Sequence, residues 1–337
     1  MLSGYRTALF AGAALAVATS WGAMAQTTPI TVVVPNPSAI NNFPLFVAIG
    51  EGYFADEGLE ITVEAVNGSA SVLQTMAAGQ AQIGNPGPGP LLNARARGED
   101  VVFIYNQFPK SIFGLVVNEK ADVDDIADLK GTVVGVGTAD GAEVAFARGI
   151  LAGAGLEEGT DYEFLPIGDG GTAAAAFLRD EVTAYSAAVS DAAIIRSRGI
   201  GLDEITPEEY LSYFGNGWAT TRDFLESNPE VIEGFGRALV RGTRFGLDEA
   251  NTEKVLEHTT AGNPQEGEDR EFAASLLTAI RDRVTPLDVS NGYGYQPPEA
   301  WEQWHQSQLD TGGLSAPLDD LEAAYTNEFV KTWNEGQ

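Results

Sequence analysis

The chain has 337 residues, no cysteine, and 48 acidic residues against 19 lysines and arginines, for a formal net charge of −29. So negative a surface repels phosphate backbones and anionic membranes, which excludes nucleic acid as an expected partner. The length suffices for two domains of ordinary size, and the missing cysteines exclude disulfides and thiol chemistry.

The first 25 residues have the pattern of a secretory signal peptide. Arg6 is the only charged side chain in this segment, an apolar stretch runs from Ala8 to Val17, and Ala23-Met24-Ala25 forms a small-x-small cleavage pattern. The apolar stretch is shorter than the roughly 20 residues that a membrane span needs. We therefore expect cleavage before Gln26 and export of a soluble chain to the periplasm, without a lipid anchor and without membrane insertion.

In the first part of the mature chain, short β-rich runs alternate with helical patterns, which indicates an α/β fold. The predicted elements are a strand at 30–34, a helical turn at 44–49, a strand at 59–66, a helix from 68 with a capping box at 71–74, and buried strands at 81–84 and 101–105.

A second β/α unit follows, and the chain ends in a helix-rich part. The predicted elements are a strand at 113–117, a turn-rich helix at 122–129, a strand at 132–136, a helix after the loop 137–141, a strand at 162–167, a helix through 178, a strand at 182–185 and a helix near 190. From Phe224 onward the pattern predicts helices without further strands.

Four loops that follow predicted strands are candidate ligand contacts, because ligands of open α/β sheets bind at the carboxyl ends of strands. Loops that open a helix also present free amides to polar groups. Ordinary turns with helix caps are the alternative interpretation. The candidates in these loops are Ser38, Asn41, Asn42, Phe43, Gly68, Ser69, Asn85, Pro86, Gly87, Thr138, Ala139 and Asp140.

Three further candidates are Lys110, Tyr185 and Trp218, each with a structural alternative: a solvated strand start for Lys110, and core or hinge packing for the rings. Asp191 stands at a predicted helix start and is interpreted as a cap. No spacing of histidines, serines or glycines matches a catalytic or phosphate-binding motif, and no metal or cofactor is expected. The candidate side chains favour a neutral or singly anionic organic ligand with a planar part.

Ordered sequence blocks resemble the SsuA/THI5-like (NMT1-type) solute-binding proteins. The blocks are 44–48, 52–60, 77–84, 128–136, 182–185, 228–230 and 325–329, with Gln82 and Thr183 where the family commonly has aspartate. The resemblance implies a type II periplasmic-binding-protein fold, in which two α/β lobes are joined by two crossing strands. It places these crossings near 112–117 and 217–221, with a helical C-terminal tail on the first lobe.

The expected lobes are residues 26–112 with 218–337, and residues 113–217. The implied function is a receptor that captures a small molecule between the lobes and delivers it to the permease subunits of an ABC importer. The expected receptor is a monomer and not an enzyme. The alternatives are a ligand-sensing subunit of a membrane receptor, or an enzyme of the thiamine-pyrimidine or menaquinone type on the same fold.

Overall fold

The computed structural model describes Met1 and residues 27–335, so the predicted signal peptide lies outside the described residues. Within residues 27–335, ten strands form two five-stranded mixed sheets. The strands are β1 (Thr28–Val34), β2 (Leu59–Ala65), β3 (Ile83–Gly84), β4 (Val101–Tyr105), β5 (Phe113–Asn118), β6 (Thr132–Val136), β7 (Tyr162–Pro166), β8 (Ala184–Ala188), β9 (Leu202–Glu204) and β10 (Trp218–Thr221).

The first sheet has the strand order β2-β1-β3-β10-β4. Strand β1 runs parallel to β2 and β3, and β10 runs antiparallel to β3 and β4. The centre of β1 is a run of valines, Val32 to Val34, with almost no exposed surface. Helices cover both faces of such a parallel strand, so β-branched apolar residues fill it without a polar alternation.

The second sheet repeats this plan with the order β7-β6-β8-β5-β9. Strand β6 is parallel to β7 and β8, whereas β5 is antiparallel to β8 and β9. In each sheet, the strand that comes last along the chain, β10 in the first and β9 in the second, is one that the local sequence pattern did not predict. Both β9 and β10 are shorter than the mean strand, so neither has enough residues for a visible alternation.

Thirteen α-helices surround the sheets within residues 27–335. They are α1 (Phe43–Gly50), α2 (Tyr53–Asp56), α3 (Gly68–Ala77), α4 (Pro88–Ala96), α5 (Ala142–Gly153), α6 (Gly170–Leu178), α7 (Val189–Ser197), α8 (Arg222–Ser227), α9 (Pro229–Leu247), α10 (Thr252–Gly262), α11 (Arg270–Val284), α12 (Pro298–Asp310) and α13 (Val330–Asn334). None of these helices combines the length and the apolar character that a membrane crossing requires.

Two helical segments differ in part from the sequence prediction. Helix α3 begins at Gly68 as predicted, but Asn67 is at the N-cap position and Ser71, the first residue of the predicted capping box, lies inside the helix. The predicted helix at 122–129 is a short 3₁₀ helix, Ile126–Leu129. The Asp125 carboxylate accepts a hydrogen bond from the backbone nitrogen of Ala127 and so begins this first turn later than the pattern indicates.

The chain passes between the sheets twice, at residues 106–112 and 205–217. The two connecting segments are hydrogen bonded to each other, because Phe108 donates to Asn216 O at 3.3 Å and Gly215 donates to Phe108 O at 2.8 Å. The predicted crossings therefore lie slightly too late in the chain: residues 113–117 already belong to β5, and residues 218–221 form β10. The lobe boundaries given above remain a proposal.

The C-terminal helices pack mainly on the first sheet, and two of them also reach the second. Helix α9 packs on α1 with an apolar face that includes Val231, Phe235 and Leu239, spaced at helical intervals. Helix α11 contacts α7, and α12 contacts both α4 and α5. The helical tail predicted on the first lobe therefore also packs against helices of the second sheet.

Candidate functional site

The carboxyl ends of strands from both sheets meet at a small enclosed space, here called the inner cleft. It encloses about 50 Å³, which is room for one small chemical group. Its lining residues are Pro35, Asn36, Gly68, Ser69, Phe113, Thr138, Ala142, Glu143, Asp169, Tyr185, Ser186, Ala188, Asp191 and Asn216.

A larger space, here called the outer cavity, adjoins the inner cleft and shares Asn36, Asp169 and Asp191 with it. It has a volume of about 650 Å³, within the range of small-molecule sites. Its other lining residues are Pro37, Ser38, Gly170, Gly171, Ser190, Ile194, Ser197, Arg198, Asn263, Gln265, Glu266, Asp269 and Phe272. Together the two spaces form a site with a narrow polar end and a wide, partly apolar body.

A groove of about 670 Å³ near Arg95 and Arg222 is similar in volume to the outer cavity. It is an open surface depression on the first sheet's side of the molecule, lined mostly by charged side chains that include Asp100. Within residues 27–335, the cleft between the sheets combines enclosure with strand ends from both lobes, so it is the candidate functional site.

Glu143 occupies the N-terminal end of helix α5, on the second sheet's side of the inner cleft. Its Oε1 accepts hydrogen bonds from the backbone nitrogen of Thr138 at 2.9 Å and from the Thr138 hydroxyl at 3.1 Å. Burial raises the pKa of Glu143 to about 6, and the charge of Asp169 adds to this rise, while the bonds from Thr138 act in the opposite direction. Glu143 thus places a carboxylate of the chain itself at the start of α5, bonded to the loop that precedes the helix.

Asp191 fills the corresponding position at helix α6. Its Oδ1 accepts a hydrogen bond from the backbone nitrogen of Gly170 at 3.0 Å, and its Oδ2 lies 3.3 Å from the Tyr185 hydroxyl. Burial, and then the charge of Asp169, raise the pKa of Asp191 to about 7. Asp191 therefore caps a helix, as the sequence predicted, but the helix is the preceding one, α6, and not its own.

Asp169 completes a group of three carboxylates, here called the acidic triad: Glu143, Asp169 and Asp191. Asp169 lies at the junction of the two spaces and is more open to solvent than the other two. Partial desolvation raises its pKa, and its charge raises the pKa of both partners. The charge of Glu143 also raises the pKa of Asp191, so the acids of the triad oppose ionisation within the group and give the inner cleft a negative potential.

A buried amide adds a further hydrogen-bond acceptor. The Nδ2 of Asn216 donates to Asn85 O at 3.0 Å, which fixes the amide orientation, and its Oδ1 is buried without a partner. Asn216 is only 6% exposed and lines the inner cleft. A buried acceptor without a partner costs free energy, which a hydrogen-bond donor on a ligand would recover.

Five of the predicted site residues line these spaces. Gly68, Ser69, Thr138 and Tyr185 line the inner cleft, and Ser38 lines the outer cavity. Position 68 requires glycine, because its φ is +80° and a Cβ there would lie 2.8 Å from the Thr138 hydroxyl across the cleft.

Five other predicted site residues lie behind the lining residues and support them through hydrogen bonds. Asn41 donates from Nδ2 to the Ser190 hydroxyl at 3.1 Å, and so bridges the two sides. Asn42 donates to Ser38 O and accepts from Gln107. The carbonyl oxygens of Asn85 and Pro86 accept from the second connecting segment, and the Gly87 backbone nitrogen donates to Ser69 Oγ.

The remaining five predicted residues line neither space. Phe43 and Trp218 are fully buried in apolar clusters, so their rings pack in the core, the structural alternative given for Trp218. Lys110 forms an ion pair with Asp282 at 2.8 Å and does not line either space. Ala139 and Asp140 are exposed on the loop before α5 and do not line the cleft either.

Sequence reasoning missed Asn36, Glu143, Ser186 and Asn216 as cleft residues. Asn36 lies two residues after the end of β1, and Glu143 is in the first turn of α5, so a search of strand ends and helix starts would have found both. Ser186 lies inside β8 and Asn216 in a connecting segment, where no local pattern distinguishes them from packing residues.

The family model described as NMT1/THI5 like matches residues 39–251. Two curated proteins are similar over most of the chain. The riboflavin-binding protein RibY of Chloroflexus aurantiacus is 27% identical over 318 residues, covering 90% of this chain and 86% of RibY. The formylaminopyrimidine-binding protein of Halalkalibacterium halodurans is 24% identical over 276 residues, covering 79% of this chain and 80% of that protein.

Solved structures share the fold at lower identity. The periplasmic aliphatic sulphonate binding protein SsuA from Escherichia coli superposes with a TM-score of 0.69 at 16% identity, covering 89% of this chain and 98% of SsuA. The desulfurization enzyme DSZB superposes with a TM-score of 0.58 at 16% identity, covering 90% of this chain and 98% of that chain. The same architecture therefore occurs in binding proteins and in an enzyme.

Proposed function

The chain belongs to the NMT1/THI5-like family, and on this basis we propose that it is an extracytoplasmic solute-binding receptor that delivers a small organic molecule to an ABC importer. The type II periplasmic-binding-protein architecture, with two five-stranded sheets of equivalent order, supports this function. So do the relatives, which are named for binding riboflavin, a formylaminopyrimidine and sulphonates.

The observation that carries the proposal is the position of the site between two sheets that only two short segments connect. Ligand capture by hinge closure needs a cleft whose walls move relative to each other, with few covalent connections between them. Residues 106–112 and 205–217 are these connections, and they are hydrogen bonded side by side. A ligand in the inner cleft would touch both lobes and stabilise the closed form.

We propose the lobe division at 112–113 and 217–218, and a contact set that follows the cleft. From the first lobe it comprises Asn36, Ser38, Gly68 and Ser69, and from the second Thr138, Glu143, Asp169, Tyr185 and Asp191, with Asn216 at the hinge. Export through the N-terminal signal pattern is part of the same proposal. Mass spectrometry of the protein purified from its native cell envelope is expected to find Gln26 as the mature N-terminus.

The proposed partners are the small ligand and the permease subunits, with the receptor acting as a monomer that binds without chemistry. A sensing role uses the same cleft but a different membrane protein. The genes next to this one separate the two: a permease and an ATPase support transport, and a membrane kinase supports sensing.

A thermal-shift screen of the mature protein tests the receptor function. The panel contains riboflavin, aminopyrimidines, sulfonates, nitrate, aromatic acids and small amines. A ligand at 100 times its Kd stabilises the folded state by about 2.7 kcal/mol, which raises the Tm by several degrees. Small-angle scattering of the same sample should show a more compact particle. If no compound raises the Tm or compacts the particle, while a protein partner does, the receptor proposal is wrong.

A further inference from the structure

Helices α5, α6 and α7 of the second lobe begin beside the ligand space, as does α3 of the first lobe, and carboxylates of the chain itself lie at the starts of α5 and α6. Helix N-termini are ordinary anion sites because their first backbone nitrogens lack partners. Asp191 accepts a hydrogen bond from the backbone nitrogen of Gly170, the first residue of α6, and Glu143 accepts one from the backbone nitrogen of Thr138 in the loop before α5. A sulfonate or carboxylate placed at the start of α6 would have to displace the Asp191 carboxylate, and one placed at the start of α5 would meet the Glu143 carboxylate.

The inner cleft also has no positive side chain to offset these charges. Among the described residues that line it there is no lysine or arginine, and its charged side chains are the three carboxylates of the acidic triad. The Thr138 hydroxyl donates to Glu143, and the Tyr185 hydroxyl lies within 3.3 Å of both Asp191 and Gly168 O. Both hydroxyl groups are therefore bonded within the chain, and the net charge of the cleft lining is negative.

A second observation, independent of the carboxylates, points the same way. The Asn216 Oδ1 is a buried acceptor without a partner, and its orientation is fixed because Nδ2 is used by Asn85 O. Asn216 comes from the second connecting segment and not from the loops that hold the acidic triad, so an acceptor other than the carboxylates also lines the space. A group with several N–H donors would bond to this amide oxygen and to a carboxylate of the triad at once.

From this arrangement, and resting on the proposed receptor function, we infer that the ligand is an organic cation. We propose that an amidinium, guanidinium or ammonium group enters the inner cleft between the acidic triad and Asn216, and that a larger, partly apolar body lies in the outer cavity. The volumes fit this division, about 50 Å³ for the charged end and about 650 Å³ for the body. Phe272 and Ile194 supply apolar surface to the wider space. The ligand charge therefore differs from the neutral or anionic charge that the sequence favoured.

Binding of a cation to the triad has a measurable proton signature. The charged groups that face Asp191 are Asp169 from the loop before α6, Glu143 from α5, Glu266 and Asp269 from the segment before α11, and Arg198 after α7, with the Tyr185 hydroxyl from β8. Since Glu143 and Asp191 keep part of their protons near neutral pH, an entering cation releases protons. Its affinity is therefore expected to rise as the pH rises through the range of about 5.5 to 7.5.

Calorimetry with three probes of one shape tests the charge of the ligand. Benzamidinium, benzamide and benzoate share a ring and differ in the charge of the attached group. Benzamidinium is expected to bind about tenfold or more tightly than the other two, with proton release that depends on the buffer. Glu143→Gln and Asp191→Asn are expected to lower its affinity about tenfold. Asp203→Asn, on the exposed face of β9, is the matched control and should leave the affinity unchanged.

Equal or tighter binding of benzamide or benzoate overturns the cation proposal, and so does an Asp191→Asn protein that binds benzamidinium as the wild type does. Calcium ion is a further probe: if Ca²⁺ competes with benzamidinium at equal concentration, a metal and not an organic cation is the preferred occupant. Absence of benzamidinium binding at millimolar concentration also counts against the proposal.

Dialysis of the mature protein against a metabolite extract, followed by mass spectrometry of the retained compound, separates this inference from the receptor function. A retained compound with a basic nitrogen supports both proposals. A retained neutral or anionic compound overturns the cation proposal and leaves the receptor function supported. Retention of no compound by the wild type counts against the receptor function itself.

Discussion

Replacement of Asp191 by asparagine should make the ligand-free protein more stable at neutral pH. Asp191 is buried, and its folded-state pKa is about 7 against an ordinary value of 3.8. Because the folded pKa is raised, the carboxyl stabilises the fold while it is protonated and opposes folding once it ionises. This contribution is fully present below about pH 4 and is lost as the pH rises towards 7.

The size of the effect follows from the same numbers. A difference of about three pH units corresponds to about 4 kcal/mol at 1.36 kcal/mol per unit. Part of it is shared with Asp169 and Glu143, which lose a repulsive neighbour in the variant, so we expect a gain of about 2–4 kcal/mol at pH 8. An asparagine Oδ1 keeps the hydrogen bond from Gly170, because only an acceptor is needed there.

Urea unfolding followed by circular dichroism at pH 4, 6 and 8 measures this effect. The difference between Asp191→Asn and the wild type should be within about 1 kcal/mol at pH 4 and grow to its full size by pH 8. Asp203→Asn, an exposed acid-to-amide change in the same lobe, should show no such growth. A loss of stability in Asp191→Asn at pH 8, or a gain that does not depend on pH, would refute the reasoning.

Four further changes test the packing of the cleft and the residues that lie outside it. Gly87→Ala places a methyl group against Ala142 across the lobes, so it should hold the cleft open and weaken ligand binding about tenfold or more, visible as a larger radius in small-angle scattering. Glu266→Ala removes the acceptor of three hydrogen bonds from the loop after β1 and should cost about 2 kcal/mol in urea unfolding. Trp218→Phe should cost about 1–3 kcal/mol without changing ligand affinity, because the ring packs in the core. Lys110→Ala should lower the free energy of unfolding by less than about 1 kcal/mol and leave ligand affinity unchanged, since its ion pair is at the surface. A loss of affinity would show that Lys110 contacts the ligand after all.

The sequence by itself determined the fold class and most of the elements that carry it. Local patterns are sufficient for this, because a buried parallel strand such as Val32 to Val34 and an amphipathic helix such as α9 are each specified by neighbouring residues. The loops after β2 and β6 were found in the same way, since a strand end followed by a helix start is a local feature. Residues at those positions, Gly68, Ser69 and Thr138, do line the inner cleft.

Only the tertiary structure decided the chemistry of the site. Glu143, Asp169 and Asp191 are separated by 22 residues or more from one another, and their approach depends on the order β7-β6-β8 in the second sheet. The sequence gives no sign that Asp191, 21 residues further along the chain, accepts a hydrogen bond from Gly170 at the start of α6, because only folding brings the two together. Likewise, no local sequence pattern distinguishes an aromatic ring in the core, such as Trp218, from one that lines a cleft, because burial depends on which elements pack against the strand. The charge of a cleft is a sum over residues distant in sequence, so no local pattern contains it.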